Sequence, residues 1–215
     1  MQRRTALKNI GLSFGALTLT PTVASLLQSC QTTEAGWGPS LLSQEDASFV
    51  TKIIDVMLPT TATVPGASDL NLIQFIDAYL AKVTSPEEQE FATMATGIFA
   101  GVVQAAAGKD NAADLTAEDI DVQLNKFLRA TPKDLATRGK AYDDYLAGLE
   151  DGTAGAPPIE GVCQSYLFNL RSLAVRAFEG NAIIATENLA YAPVPGQQKG
   201  CVDLQEATGG KKWAL

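Results

Sequence analysis

Ser85-Pro86-Glu87-Glu88-Gln89-Glu90-Phe91-Ala92-Thr93-Met94 decides the fold class. A serine able to cap comes first. Proline then takes the first helical position, where its missing N–H costs nothing, and acids fill the first turn. Phe91, Met94, Ile98 and Val102 recur on one side until the run stops near Gly108. This is an amphipathic helix with both ends marked, and the same grammar repeats on either side of it.

Upstream, Ser43 with Glu45 and Asp46 opens a helix in capping-box style that carries Phe49, Val50, Ile53, Ile54 and Met57 and ends at Leu58-Pro59. A second helix begins near Asp69, with Leu72, Ile73, Ile76, Tyr79, Leu80 and Val83 along one side. Downstream, Thr116 with Asp119 opens a helix bearing Ile120, Leu124, Phe127 and Leu128. Thr131-Pro132 opens another with Leu135, Tyr142, Leu146 and Leu149, ending at Gly152. After the loop from Thr153 to Pro158, the last helix carries Val162, Tyr166, Leu170, Leu173 and Ala177. No segment alternates strictly, so a sheet is not expected. The reading is all-α: a single bundle of about six helices over residues 43–215, with an extended, proline-containing C-terminal tail.

The N-terminus is read as a sorting signal. Arg3-Arg4-Thr5-Ala6-Leu7-Lys8 fits the twin-arginine form, and a weakly apolar run from Ile10 to Leu27 follows. That run is Thr-rich and broken by Pro21, whereas a membrane span needs about 20 strongly apolar residues. Leu26-Leu27-Gln28-Ser29-Cys30 reads as a lipobox, with Gln28 the loosest fit, so Cys30 is the expected lipidation site. Residues 1–29 are then the signal peptide and residues 30–42 a flexible tether rich in Gly, Thr, Ser and Pro. The expected location is the periplasm, held by lipid at a membrane of the cell envelope.

Charge and composition exclude several classes. The signal region contributes three of the 16 basic residues and none of the 24 acidic ones, leaving 13 against 24. So acidic a surface repels phosphate backbones, and no nucleic-acid partner is expected. There is no histidine in the sequence, which removes Ser-His-Asp and Cys-His triads, His-ligated zinc and His-ligated haem. The cysteines beyond Cys30 number two, too few for an ordinary iron–sulfur cluster. Neither G-x-G-x-x-G nor G-x-x-x-x-G-K-[ST] occurs. The acidic pairs Asp143-Asp144, Glu87-Glu88 and Glu118-Asp119 are adjacent on helices, so they diverge and read as solvated faces. No catalytic, cofactor-binding or metal-binding residue is expected in this chain.

In an oxidising compartment Cys163 and Cys201 form an even pair, and a disulfide between them would clamp the tail to the last helix. Such a loop of about 40 residues would contribute about 3–4 kcal/mol. A bridge to a partner chain and two free thiols are the alternatives.

Two non-helical segments complete the pattern. Leu58-Pro59-Thr60-Thr61-Ala62-Thr63-Val64-Pro65-Gly66-Ala67 joins the first two helices, and Pro65-Gly66 specifies a turn. The tail Tyr191-Ala192-Pro193-Val194-Pro195-Gly196 favours polyproline-type backbone with open hydrogen-bonding groups. It either lies along a partner or straps the protein's own helices.

The twin-arginine signal, the Leu58-Pro59-x-Thr61 … Pro65-Gly66-Ala67 linker and the Tyr191-x-Pro193-x-Pro195-Gly196 … Gly200-Cys201 tail together resemble the gluconate 2-dehydrogenase subunit 3 family. The resemblance implies a small non-catalytic subunit. It escorts and binds a large FAD-dependent oxidoreductase of the glucose–methanol–choline type, which oxidises a sugar, sugar acid or polyol. The flavin belongs to the large subunit, and a cytochrome c subunit often takes the electrons. The linker and tail residues just named are then the candidate partner contacts. The lipobox-like Cys30 departs from the family pattern and adds a lipid anchor. The competing reading is a stand-alone envelope lipoprotein with a ligand-binding or structural role.

Overall fold

Helix caps set out the architecture of the computed structural model, which describes residues 37–194, 196–197 and 200–214. Six long helices follow in order: α1 Gln44–Met57, α2 Leu72–Val83, α3 Pro86–Ala107, α4 Ala117–Leu128, α5 Pro132–Asp151 and α6 Ile159–Glu179. A 3-10 turn, Ala112–Asp114, precedes α4; a π turn, Ile184–Asn188, follows α6; and a short α7, Leu204–Thr208, lies in the tail. No strand occurs among the described residues, and the all-α expectation holds.

Four of the six long helices begin where the sequence placed a cap. Ser43, Ser85, Thr116 and Thr131 each accept a backbone N–H from the third residue of the following helix. At Ser85 and Thr116 the box is reciprocal, with Glu88 and Asp119 reaching back. Of the other two, α6 starts after Pro158 without a side-chain cap, and α2 starts three residues later than Asp69. Residues 68–71 turn first, and Asn71 adopts φ +52°, a left-handed conformation that asparagine tolerates.

The centre of the bundle is α6, which packs on all five other long helices. Its Tyr166 and Leu167 are buried, as are Phe99 of α3, Phe127 of α4 and Ile53 of α1. The Phe99 ring lies 6.0 Å from Phe49, 6.2 Å from Phe127 and 6.2 Å from Tyr166. Such tilted and edge-on pairs add to plain burial. The Tyr166 hydroxyl hydrogen-bonds with Thr96 at 3.0 Å, so the buried polar pair is satisfied. Length and composition would let α3 cross a membrane. Its Ala95, Phe99 and Val103 face the bundle core instead.

Gly161 lets α5 approach α6. A Cβ there would stand 2.8 Å from the Arg138 carbonyl oxygen and 3.1 Å from the Tyr142 Cβ. Glu160 ties the same corner, pairing with Lys126 at 2.7 Å and Arg138 at 3.1 Å.

Backbone from Ser40 onward is anchored rather than tethered. Ser40, Leu41 and Leu42 donate their N–H groups to the carboxylate of Asp77 on α2, at 2.5, 3.1 and 3.0 Å. Asp77 is 1% exposed. The stretch expected to run free to Leu42 therefore docks two residues earlier, with the Leu42 side chain buried. Arg3, Arg4 and Cys30 lie outside the described residues.

At α4 the Lys109 ammonium and the Thr116 cap hold the Asp119 carboxyl down at about 2 from 3.8. A depressed carboxylate stabilises the fold above its unfolded pKa and stops doing so as pH falls through the folded one. The contribution of Asp119 is therefore complete above about pH 4 and vanishes toward about pH 2. Asp119→Asn is expected to flatten the acid limb of the stability curve in that window. Urea titrations at stepped pH check this, and an unchanged slope would contradict it.

Candidate functional site

The linker folds into a self-supporting loop because its own polar groups close it. Leu58 ends α1 with its N–H on the Ile54 carbonyl at 2.8 Å, and its own carbonyl accepts the Ala67 N–H at 2.9 Å. Between them Thr61 makes a turn, donating its N–H to the Val64 carbonyl and accepting the Val64 N–H on Oγ1 at 3.0 Å. Asp69 takes the Thr60 hydroxyl and the Gly66 N–H, which holds its carboxyl below the usual range. Asp55 of α1 takes both the N–H and the hydroxyl of Ser68.

Gly66 is required by close approach. A Cβ at that position would stand 2.4 Å from the Thr60 nitrogen and 2.9 Å from the Leu58 carbonyl oxygen, both backbone atoms that cannot yield. Pro59 and Thr61 are exposed, Leu58 and Pro65 are half-buried, and Gly66 is buried. The loop thus presents a proline–threonine rim over a tightly packed glycine.

The tail returns on itself. Ala190 donates its N–H to the Lys212 carbonyl and accepts the Ala214 N–H, each at 2.9 Å, forming a single parallel bridge with Trp213. Lys212 also pairs with Glu179 at the end of α6, 2.6 Å away. The chain between Ala190 and Trp213 is therefore a projection clipped at its base. Its apolar side chains face outward: Tyr191 is 53% exposed, Val194 84%, Val202 54% and Leu204 59%. Pro193 and Gly196 are exposed too, while Pro195 lies outside the described residues. The strap reading fails for these side chains, which do not bury against the protein's own helices. The tail is also not extended throughout, since Asp203 caps α7 by accepting the Gln205 and Glu206 N–H groups.

A hydrogen bond joins the linker to the turn that precedes the tail. Asn188, in the π turn just before the projection, donates from Nδ2 to the Thr63 carbonyl at 3.4 Å. The structure does not bring the two cysteines together. Cys163 is buried within α6, Cys201 is exposed in the projection, and both are free thiols. The expected disulfide is not formed, because the Cys163 side chain faces the bundle core while Cys201 is carried outward. Burial pushes the Cys163 thiol up to about 11, so it stays protonated and unreactive at neutral pH.

Two depressions flank the linker. One, of about 290 Å³, lies beside Met57 and Leu58 and is edged by Arg129 and Arg171. The other, of about 630 Å³, lies beside Pro59 and Val122. Val56 and Asp121 line both, so the two adjoin. A third hollow of about 250 Å³ opens between Tyr79, Phe91 and Tyr166, below the roughly 300 Å³ at which small-molecule pockets usually begin. Among the described residues no three Cys, Asp or Glu side chains converge. The acidic pairs sit as solvated helix faces: Asp144 pairs with Lys140, and Glu88 and Asp119 serve caps.

Sequence reasoning missed Asp55, Asp69 and Asn188, which hold the linker, and Asp77, which holds the backbone of Ser40, Leu41 and Leu42. A signal was available only for Asp77, which falls on the apolar face of α2 between Ile73 and Leu80. The chain matches no curated protein and no solved structure significantly. One family model, described as gluconate 2-dehydrogenase subunit 3, matches residues 44–196, a stretch that holds all six long helices, the linker and the first part of the projection. The chain, with its helical bundle, its linker and the start of its tail, thus belongs to the gluconate 2-dehydrogenase subunit 3 family.

Proposed function

We propose that this chain is a non-catalytic subunit that binds an FAD-dependent dehydrogenase of the glucose–methanol–choline type, escorts it through twin-arginine export and anchors it at the envelope by lipid on Cys30. The flavin sits in the partner, which oxidises a sugar, sugar acid or polyol, and a cytochrome c subunit accepts the electrons. The family supplies the accessory role in a dehydrogenase complex. The observation that carries the reading is the clipped projection: a protein this acidic keeps Tyr191, Val194, Val202 and Leu204 in water. An apolar cluster on a well-ordered base is a docking element whose exposure ends when a partner covers it.

The partner interface comprises Tyr191, Pro193, Pro195 and Gly196 of the projection with Leu58, Pro59, Thr61, Pro65 and Gly66 of the linker. Tyr191→Ser combined with Val194→Asp is expected to weaken flavoprotein binding by about 100-fold, the size of a lost hot spot. Both side chains are exposed, so the circular dichroism and melting temperature of the variant stay those of the wild type. Biolayer interferometry against the purified flavoprotein measures the change, and an affinity within threefold of wild type would sink this interface.

A further inference from the structure

The depression beside Leu58 differs in charge from the rest of the molecule. The chain has 24 acidic residues against 16 basic ones, yet two arginines edge this one groove. Neither Arg129 nor Arg171 is paired with a carboxylate among the described residues. Arg171 lies over the Phe168 ring at 4.8 Å, and Arg129 closes the end of α4. The single carboxylate on the same wall, Asp121, already accepts the Asn125 amide at 2.9 Å. Val56, Met57, Leu58 and Leu128 give the same depression an apolar lining.

The adjoining second depression differs in charge. Pro59, Leu115 and the exposed Val122 give it an apolar lining, Asp55 and Glu118 stand at its edge, and its one cation, Lys52, already donates to the Ala112, Ala113 and Leu115 carbonyls. A carboxylate is attracted at the arginine end and repelled at the other, while apolar side chains fit along both. The groove therefore has a polarity as well as a shape.

We infer that this groove binds an extended segment of the partner flavoprotein that carries a carboxylate at the Arg129–Arg171 end and apolar residues toward Val122. The inference rests on the proposed subunit role and adds a second, charge-reading contact beside the apolar projection. Arginine suits the task because its planar fork meets a carboxylate with two parallel donors, which lysine cannot do.

The test uses the full mature chain and the flavoprotein purified with the wild-type chain from the native envelope. Arg129→Glu with Arg171→Glu is expected to weaken binding about 30-fold or more. Wild-type affinity is also expected to fall as NaCl rises from about 0.05 M to about 0.5 M, with the double variant losing that dependence. Lys140→Glu, at an exposed pair with Asp144, is the control and should stay within about threefold of wild type. A double variant that binds as tightly as wild type, with the salt dependence intact, overturns the groove assignment while leaving the subunit role standing. A wild-type chain that binds no flavoprotein removes both. Sedimentation of the mature chain alone covers the remaining occupant: a dimer that the double variant splits would mean a second copy fills the groove, which also overturns the inference.

Discussion

Asp77→Ala is expected to unfold the start of the bundle and lower the melting temperature by about 10 °C. Three consecutive N–H groups, from Ser40, Leu41 and Leu42, converge on one buried carboxylate. Bonds to a charged acceptor contribute more than neutral ones, and removing the acceptor leaves its donors unsatisfied. Even with water reaching the outer two, the loss is on the order of 3–4 kcal/mol. At the entropy of unfolding typical of this chain length, that corresponds to about 10 °C. Asp77→Asn keeps an acceptor oxygen but turns a donor toward the same N–H groups, so its loss should be intermediate, about 1–2 kcal/mol. Calorimetry of both variants orders them wild type, Asn, Ala; an Ala variant that melts like wild type would mean the contact carries no weight.

The second large effect concerns export. Replacing Arg3 and Arg4 by Lys is expected to leave the partner flavoprotein in the cytoplasm, with dehydrogenase activity in the periplasm close to lost. The twin-arginine route carries folded proteins, typically because a cofactor is inserted first, and a helical bundle whose own sequence offers no cofactor motif gains little from it. On the proposed reading, the twin-arginine motif serves a bound flavoprotein that lacks its own. Fractionation followed by flavin and immunoblot assay decides the matter. Deleting this chain should give the same distribution, and a flavoprotein that still reaches the periplasm would end the escort reading.

Legibility in the sequence followed the range of the forces involved. Helix starts at Ser43, Ser85, Thr116 and Thr131 were readable because a cap is settled within four residues. The start of α2 was not, since Asp69 spends its carboxylate backward on Thr60 and Gly66 instead of opening the helix. The linker motif was visible as a turn, but part of what fixes it lies on α1, at Asp55, and beyond α6, at Asn188. Contacts spanning 125 positions, such as Asn188 to Thr63, leave no local trace. The tail was legible in part: its prolines keep residues 191–194 out of any helix, while α7 and the clip between Ala190 and Trp213 left no local signal. Cysteine parity suggested a bridge that the burial of Cys163 in α6 does not permit in this fold.

The most direct measurement of the central claim is isolation of the mature chain from the native envelope under mild detergent, followed by mass spectrometry and an absorbance scan. A flavoprotein recovered in a one-to-one ratio, with the flavin band belonging to it and not to this chain, is the expected result. Recovery of the chain alone, without flavin and without a larger subunit, would contradict it.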